Sequence, residues 1–327
     1  MNWSGRKVLI TGACGFIGSH LVEALVDAGA QARAFAHYNS LGSAGWLDSS
    51  QSREQIDVVF GDLRDSDSVS SAVKGSEIVF HLGSLVAIPY SYETPTAYIR
   101  TNIEGTLNVA QACRSAGVGK LIHTSTSEVY GMAADVPMGE DHQLVAQSPY
   151  AASKIGADKI VESLHRSFEL PTITVRPFNT YGPRQSQRAI IPTIISQALV
   201  GDEVRLGNLH PTRDLTFVED TVAGFLACAE SELSGGQTLN LGTGVETSIG
   251  QLVEEVAAII GRGISVVVDD QRVRAEGSEV DRLCADATRV NELTGWTPRV
   301  DLRQGLKRTV EWMEQNLSTY RPDEYVR

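Results

Sequence analysis

The chain has 327 residues, 42% hydrophobic and 21% charged, enough for two ordinary domains or one large one with an appendage. A formal net charge of −12 leaves no basic face for nucleic acid, although a few local arginines can still make one pocket attract an anion. No apolar run is long enough to cross a bilayer, so no membrane contact is expected, and MNWSGRKVLI lacks a signal-peptide pattern, so a cytoplasmic location is.

KVLIT (7–11) reads as a buried strand, and FIGSHLVEALVDAG (16–29) as the helix after it, ending at glycine. QARAFA (31–36), DVVFGD (57–62), EIVFHLG (77–83) and KLIHTS (120–125) read as further strands, with a helix over Ala97–Ala116 before the last. TITVRPFN (172–179) continues the series. Strands alternating with helices predict an α/β chain with a parallel sheet covered on both faces. After Asn179 the pattern loosens into YGPRQSQRAIIP, rich in turn formers and basic residues. TLNLGTG (238–244) reads as a strand, Ile249–Ile260 as a helix, ISVVVDD as strand-like, and a final helix starts at Leu302. A second, smaller lobe is therefore expected, interleaved with the first. The division expected is 1–178 plus about 214–248 against 179–213 plus about 249–327. Cys14, Cys113, Cys228 and Cys284 stand far apart, with no metal-ligand spacing, so no metal is expected.

Two short segments carry chemistry. ITGACGFIG sets Gly12, Gly15 and Gly18 between the first strand and the first helix. A glycine turn lets backbone approach a pyrophosphate, and the helix N-terminus supplies amide donors. In SPYAASK, Tyr150 and Lys154 stand four apart, one turn along a helix face. A phenol, pKa about 10, is a poor base at neutral pH until a nearby ammonium favours its anion. Such a pair can take a hydroxyl proton while a hydride leaves the same carbon for a nicotinamide. An acid ending the second strand would mark NAD, but His37 stands there, with Asn39 and Ser40 following as donors for either cofactor. NAD is the expected cofactor, with NADP left open.

The G-x-x-G-x-x-G loop and YxxxK resemble the extended short-chain dehydrogenase/reductases, a doubly wound parallel Rossmann sheet with a smaller α/β substrate-binding lobe. The resemblance implies cofactor contacts from Phe16, Ile17, Asp62, Leu63 and Leu82, besides the glycines, Tyr150 and Lys154. It makes Thr126, in HTSTSEVYG, the hydroxyl that holds the substrate oxygen. Glu128 resembles the acid of nucleotide-sugar 4,6-dehydratases, which removes the C5 proton once C4 is a ketone. Ser127 departs from dTDP-glucose dehydratases, which have an aspartate there to protonate the leaving hydroxyl. GDP-mannose dehydratases also carry serine. Ser84, Tyr90, Asn179, Arg188, Arg213 and Arg274 are the substrate residues implied, with Arg184 and Arg282 near them. VAIPYSY, TSTSEVYG, FNTYGPRQSQRA and PTRDLTFV together resemble bacterial UDP-N-acetylglucosamine 4,6-dehydratases of the legionaminic-acid type. That implies a nucleotide-diphosphate sugar substrate and a homodimer through helices 97–116 and 150–168. The rivals are a UDP-glucuronate decarboxylase, a nucleotide-sugar 4-epimerase and a non-catalytic dinucleotide-binding regulator.

Overall fold

Short apolar runs such as KVLIT and KLIHT form strands because a parallel sheet covered on both faces buries nearly every side chain along them, all but the exposed Lys7 and the half-buried Thr124. The computed structural model describes residues 2–133, 135–272 and 280–326. Its strands are β1 (Lys7–Thr11), β2 (Gln31–His37), β3 (Asp57–Gly61), β4 (Ile78–His81), β5 (Lys120–Thr124), β6 (Thr172–Pro177), β7 (Asn179–Tyr181), β8 (Glu203–Leu206), β9 (Thr212–Phe217), β10 (Gly235–Leu241), β11 (Glu246–Ser248), β12 (Ser265–Val268) and β13 (Arg282–Leu283). The helices are α1 (Phe16–Asp27), α2 (Ser66–Val73), α3 (Ile88–Glu93), α4 (Pro95–Tyr98), α5 (Gly105–Ala116), α6 (Pro149–Phe168), α7 (Ile190–Val200), α8 (Val218–Glu230), α9 (Ile249–Ile260), α10 (Thr288–Thr294) and α11 (Leu302–Gln315).

Seven strands form one sheet in the order β10-β6-β5-β4-β1-β2-β3, each pair parallel. The order reverses between β1 and β4, which opens a crevice at their C-terminal ends. Helices α1 and α8 cover one face, meeting Ile10, Phe80 and Ile122. On the other face α2, α5 and α6 meet Leu9, Val79 and Leu121. Burying each such side chain stabilises by about 1.5–3 kcal/mol.

A smaller sheet sets β9 between β11 and β13, with β7 also paired to β9, while β8 and β12 pair alone. β9 runs through residues 213 and 214 without a break. α7, α9 and α11 close a second apolar core around Phe217, Leu252 and Leu306. Among the described residues, no helix is long and apolar enough to cross a membrane.

The segment read as one helix over Ala97–Ala116 has three parts. The α-helical turn Pro95–Tyr98 leads into a π-helical stretch, Ile99–Glu104, and then α5. The wider turn follows from Asn102, whose side chain grips the loop after β4. Its Oδ1 accepts from the Leu85 amide at 2.8 Å, and its Nδ2 donates to the Leu85 carbonyl at 2.9 Å. Nδ2 also reaches Ser153 Oγ on α6 at 2.9 Å. A long-range contact has reset the local helix period.

Candidate active site

The glycine loop expected to hold the cofactor is lined by backbone. After β1 the chain turns at Gly12 with φ +68°, where a Cβ would lie 2.7 Å from the Gly83 nitrogen. The loops after β1 and β4 thus touch main chain to main chain across the crevice. A Cβ on Gly18 would collide with the Gly12 carbonyl oxygen. Gly15 begins α1 without a side-chain cap, so the first-turn amides, at Phe16, Ile17 and Gly18, stay open to an anion. This cradle fits a dinucleotide pyrophosphate. Leu82 donates its amide to the Thr11 carbonyl at 3.2 Å, and Leu63 packs beneath Gly83.

At the adenosine side, His37 ends β2 and is exposed. Asp62 is gripped by Arg64, whose Nε donates to its two oxygens at 2.9 and 3.1 Å. Asn39 is turned into its own loop: Nδ2 donates to the carbonyls of His37 (3.3 Å) and Ser43 (2.8 Å), and Oδ1 accepts from the amides of Leu41 (3.2 Å) and Ser43 (3.1 Å). Its amide is therefore committed to loop shape, while Ser40 beside it is exposed.

The structure brings Thr126, Glu128, Tyr150 and Lys154 together. Thr126 caps the turn Ser127–Tyr130, its Oγ1 accepting from the Glu128 amide at 3.3 Å. Helix α6 begins at Ser148, whose Oγ accepts from the Ala151 amide at 3.1 Å, with Pro149 first in the helix. That places Tyr150 in the first turn and Lys154 one turn on, both buried. The Tyr150 hydroxyl bonds to the Thr126 hydroxyl. Lys154 Nζ donates to the Thr124 carbonyl at 2.6 Å. Ser127 is buried between Thr126 and Glu128.

Burial raises the Tyr150 phenol above its ordinary range; the Thr126 bond opposes that, and the charge of Glu128 adds to it. Burial lowers Lys154 from 10.5 to about 8, against the pull of Asp158. A cationic nicotinamide in the crevice would favour the phenolate that burial disfavours.

The substrate side is less gathered. Tyr90 lies 6.3 Å from Tyr98, ring to ring, and Tyr98 lies 6.3 Å from Tyr150, edge to face, so an aromatic row leads to the Tyr150 phenol. Exposed Arg188 is near enough for its charge to act on Tyr98. Ser84 is half-buried, its hydroxyl 3.5 Å from the Leu82 carbonyl. Among the described residues, Asn179 Oδ1 is buried with no hydrogen-bond partner. Arg213 is buried on β9 and donates to the Thr212 carbonyl at 2.8 Å. Arg184 turns away to α1, pairing with Glu23 at 2.9 Å and donating to Ser19 Oγ at 3.1 Å. Arg282 pairs with Glu246. Arg274 lies outside the described residues. Among the described residues, no group of three His, Cys, Asp or Glu is placed to hold a metal.

Sequence reasoning missed Asn102, Tyr98 and Asp158. Only Asp158 left a signal, eight residues after Tyr150 and four after Lys154, on the same face of α6.

A nucleotide-binding crevice above a Thr-Tyr-Lys set agrees with what known families show. The family model described as GDP-mannose 4,6 dehydratase matches residues 9–309. The chain belongs to the GDP-mannose 4,6-dehydratase family. Among its relatives, a UDP-glucose 4-epimerase of Mycolicibacterium smegmatis is 34% identical over 94% of this chain and 98% of its own. A dTDP-glucose 4,6-dehydratase of Streptomyces antibioticus is 30% identical over 97% and 95%. The crystal structure of DesIV, a dTDP-glucose 4,6-dehydratase from Streptomyces venezuelae with NAD and TYD bound, superposes with a TM-score of 0.87 at 27% identity, covering 96% of this chain and 99% of that one. The seven-stranded sheet is thus the Rossmann fold of an extended short-chain dehydrogenase/reductase, in a family of nucleotide-sugar dehydratases, epimerases and decarboxylases.

Proposed function

We propose that the chain is an NAD-dependent nucleotide-sugar 4,6-dehydratase that converts UDP-GlcNAc to its 4-keto-6-deoxy product. The observation that carries this reading is Glu128, a carboxylate one turn from the Thr126–Tyr150 hydrogen bond and close enough to act on the phenol. An acid beside the group that makes a C4 ketone is placed for the proton which that ketone loosens, at C5.

Tyr150, as phenolate, takes the C4 hydroxyl proton; Thr126 holds the same oxygen, and Lys154 supplies the positive charge. The Gly12–Gly18 loop would hold NAD, which would supply the hydride acceptor for C4 and the hydride donor for C6. Glu128 takes the C5 proton, the C6 hydroxyl departs as water, and when the hydride is added at C6 a solvent-derived proton goes back to C5. With Ser127 in the neighbouring place, Glu128 is also the carboxyl group at hand to protonate the leaving hydroxyl. Asn179, Arg188, Arg213 and Arg274 are assigned to the nucleotide diphosphate, and Ser84 and Tyr90 to the sugar. The proposed division is a dinucleotide lobe of 1–178 plus about 214–248 and a sugar-nucleotide lobe of the remaining residues, with β9 and its Phe217 bridging the two. Exposed Ile99 and Phe168, on the helices expected to pair, support a homodimer; a cytoplasmic location belongs to the same reading.

A UDP-glucuronate decarboxylase would need a cation for the C6 carboxylate. The arginine of YGPR is held by Glu23 instead, which favours a neutral hydroxymethyl group. Incubation with UDP-GlcNAc, UDP-glucuronate, GDP-mannose and dTDP-glucose, without reductant, tests the proposal by product mass. Loss of one water from UDP-GlcNAc is expected. Loss of carbon dioxide from UDP-glucuronate, or a substrate isomerised at unchanged mass, would overturn it.

A further inference from the structure

Below the Tyr150–Lys154 pair lies a buried ionic cluster that the steps above leave without a task. Its centre is Asp158, one further turn along α6 and 5% exposed. Three donors from the underlying strands converge on its carboxylate: His123 Nε2 at 3.0 Å and Ser125 Oγ at 2.8 Å from the β5 segment, and Arg176 Nη2 at 3.0 Å from β6. Arg176 also donates to Tyr130 Oη at 3.0 Å, and that hydroxyl donates to Asn240 at 2.7 Å. The cluster therefore has an ordered far side.

A buried charge set of this kind is weak evidence for stability, because well-packed apolar residues often do as well or better. Its position suggests another role. Ser125, held by Asp158, directly precedes Thr126. Lys154 precedes Asp158 by one helical turn, and among the described residues its ammonium has only a neutral carbonyl, that of Thr124, as its hydrogen-bond acceptor. The charged and titratable groups facing Asp158 are Lys154 and Tyr150 from its own helix, His123 from β5 and Arg176 from β6. Beyond these, His81 on β4 stacks on His123 at 5.8 Å, and Glu128 faces Tyr150. Burial lowers both histidines, so they supply no compensating charge at neutral pH. Asp158 is thus the carboxylate that the two buried cations, Lys154 and Arg176, share.

We infer that Asp158 is a positioning residue for the catalytic pair: it supplies the countercharge to the Lys154 ammonium and, through Ser125, fixes the strand end that presents Thr126. The inference rests on Tyr150 and Lys154 being the proton-handling pair, whatever bond is broken after C4 oxidation. The opposition between burial and Asp158 at Lys154 supports it, since Asp158 is the charge that keeps that amine protonated as high as about 8.

The test reads Lys154 directly. In the NAD-loaded protein made with [ε-13C]lysine, and with its signal assigned by Lys154→Arg, the Lys154 midpoint is followed against pH. Asp158→Asn should lower it by about one pH unit or more, the usual effect of losing an adjacent opposite charge. The alkaline limb of C4 oxidation should move down with it. Ser125→Ala, which keeps the carboxylate, should leave the midpoint in place and lower kcat rather than raise KM. If Asp158→Asn does not fold, Asp158→Asn/Arg176→Gln removes the Arg176 charge together with its partner, leaves Lys154 alone without a countercharge, and carries the same expected direction. An unmoved Lys154 midpoint in whichever variant folds, with activity lost evenly at all pH values, would overturn the inference. The midpoint needs no turnover, so a wild-type chain that dehydrates no sugar would sink the proposed function separately.

Discussion

Replacing Thr126 with valine removes one hydroxyl and keeps the shape of the side chain. That hydroxyl accepts from the Glu128 amide at 3.3 Å, caps the turn Ser127–Tyr130 and bonds to the Tyr150 phenol. The first two roles concern folding, and losing a cap of this kind costs about 1 kcal/mol. The third concerns chemistry: a hydrogen bond to a group that becomes charged is worth about 1.5–3 kcal/mol, a loss of roughly ten- to hundredfold in rate. The Thr126 bond also opposes the effect of burial on Tyr150, so without it the phenol is harder to ionise. Nicotinamide absorbance in a single turnover with the accepted nucleotide sugar reads the chemical step, and thermal unfolding reads the cap. We expect Thr126→Val to fold, melt slightly earlier and oxidise C4 roughly ten- to hundredfold more slowly, with Thr126→Ser restoring most of the rate. Wild-type oxidation by Thr126→Val, or no rescue by serine, would refute this use of the hydroxyl.

Glu128→Gln should bind NAD and oxidise C4 but lose elimination by roughly 10²–10⁴-fold, as expected for removal of a general base; unimpaired deuterium uptake from solvent at C5 would refute the assignment. Asn179→Ala should raise KM for the nucleotide sugar about tenfold with little change in melting, because Asn179 Oδ1 has no partner to lose among the described residues; an unchanged KM would count against a substrate contact. Gly18→Ala should weaken NAD binding at least tenfold by calorimetry, since its Cβ meets the Gly12 carbonyl; undiminished affinity would remove the case for this cradle. Lys154, lowered from an ordinary 10.5 to about 8 in the native chain, is protonated more in the unfolded chain between those values. Native stability from this group therefore rises with pH across that window, by at most roughly 1.4 kcal/mol per unit. Urea unfolding should show that rise in wild type relative to Lys154→Met, and parallel curves would contradict it.

Much of this molecule could be read locally. The strands of the large sheet are continuous apolar runs because both faces are covered, and the glycine loop announces itself between a strand and a helix. The Tyr150–Lys154 pair follows from helical spacing alone. Periodicity and turn chemistry act over a few residues, so the sequence by itself determined the α/β class, the glycine turn between β1 and α1 and the one-turn spacing of Tyr150 and Lys154. Contacts between distant segments decided the rest. Arg184 stands in the sequence beside the expected substrate residues, yet it pairs with Glu23, 161 residues away. Asn39 looked free for a ribose and is folded into its own loop. The π turn at Asn102 exists because that side chain reaches Leu85 and Ser153, partners that no local pattern names. Tertiary structure also set three donors around Asp158 and so made a countercharge of it. Which charge faces which depends on how separate elements pack, and that geometry is set only when the sheet has closed and its helices have docked.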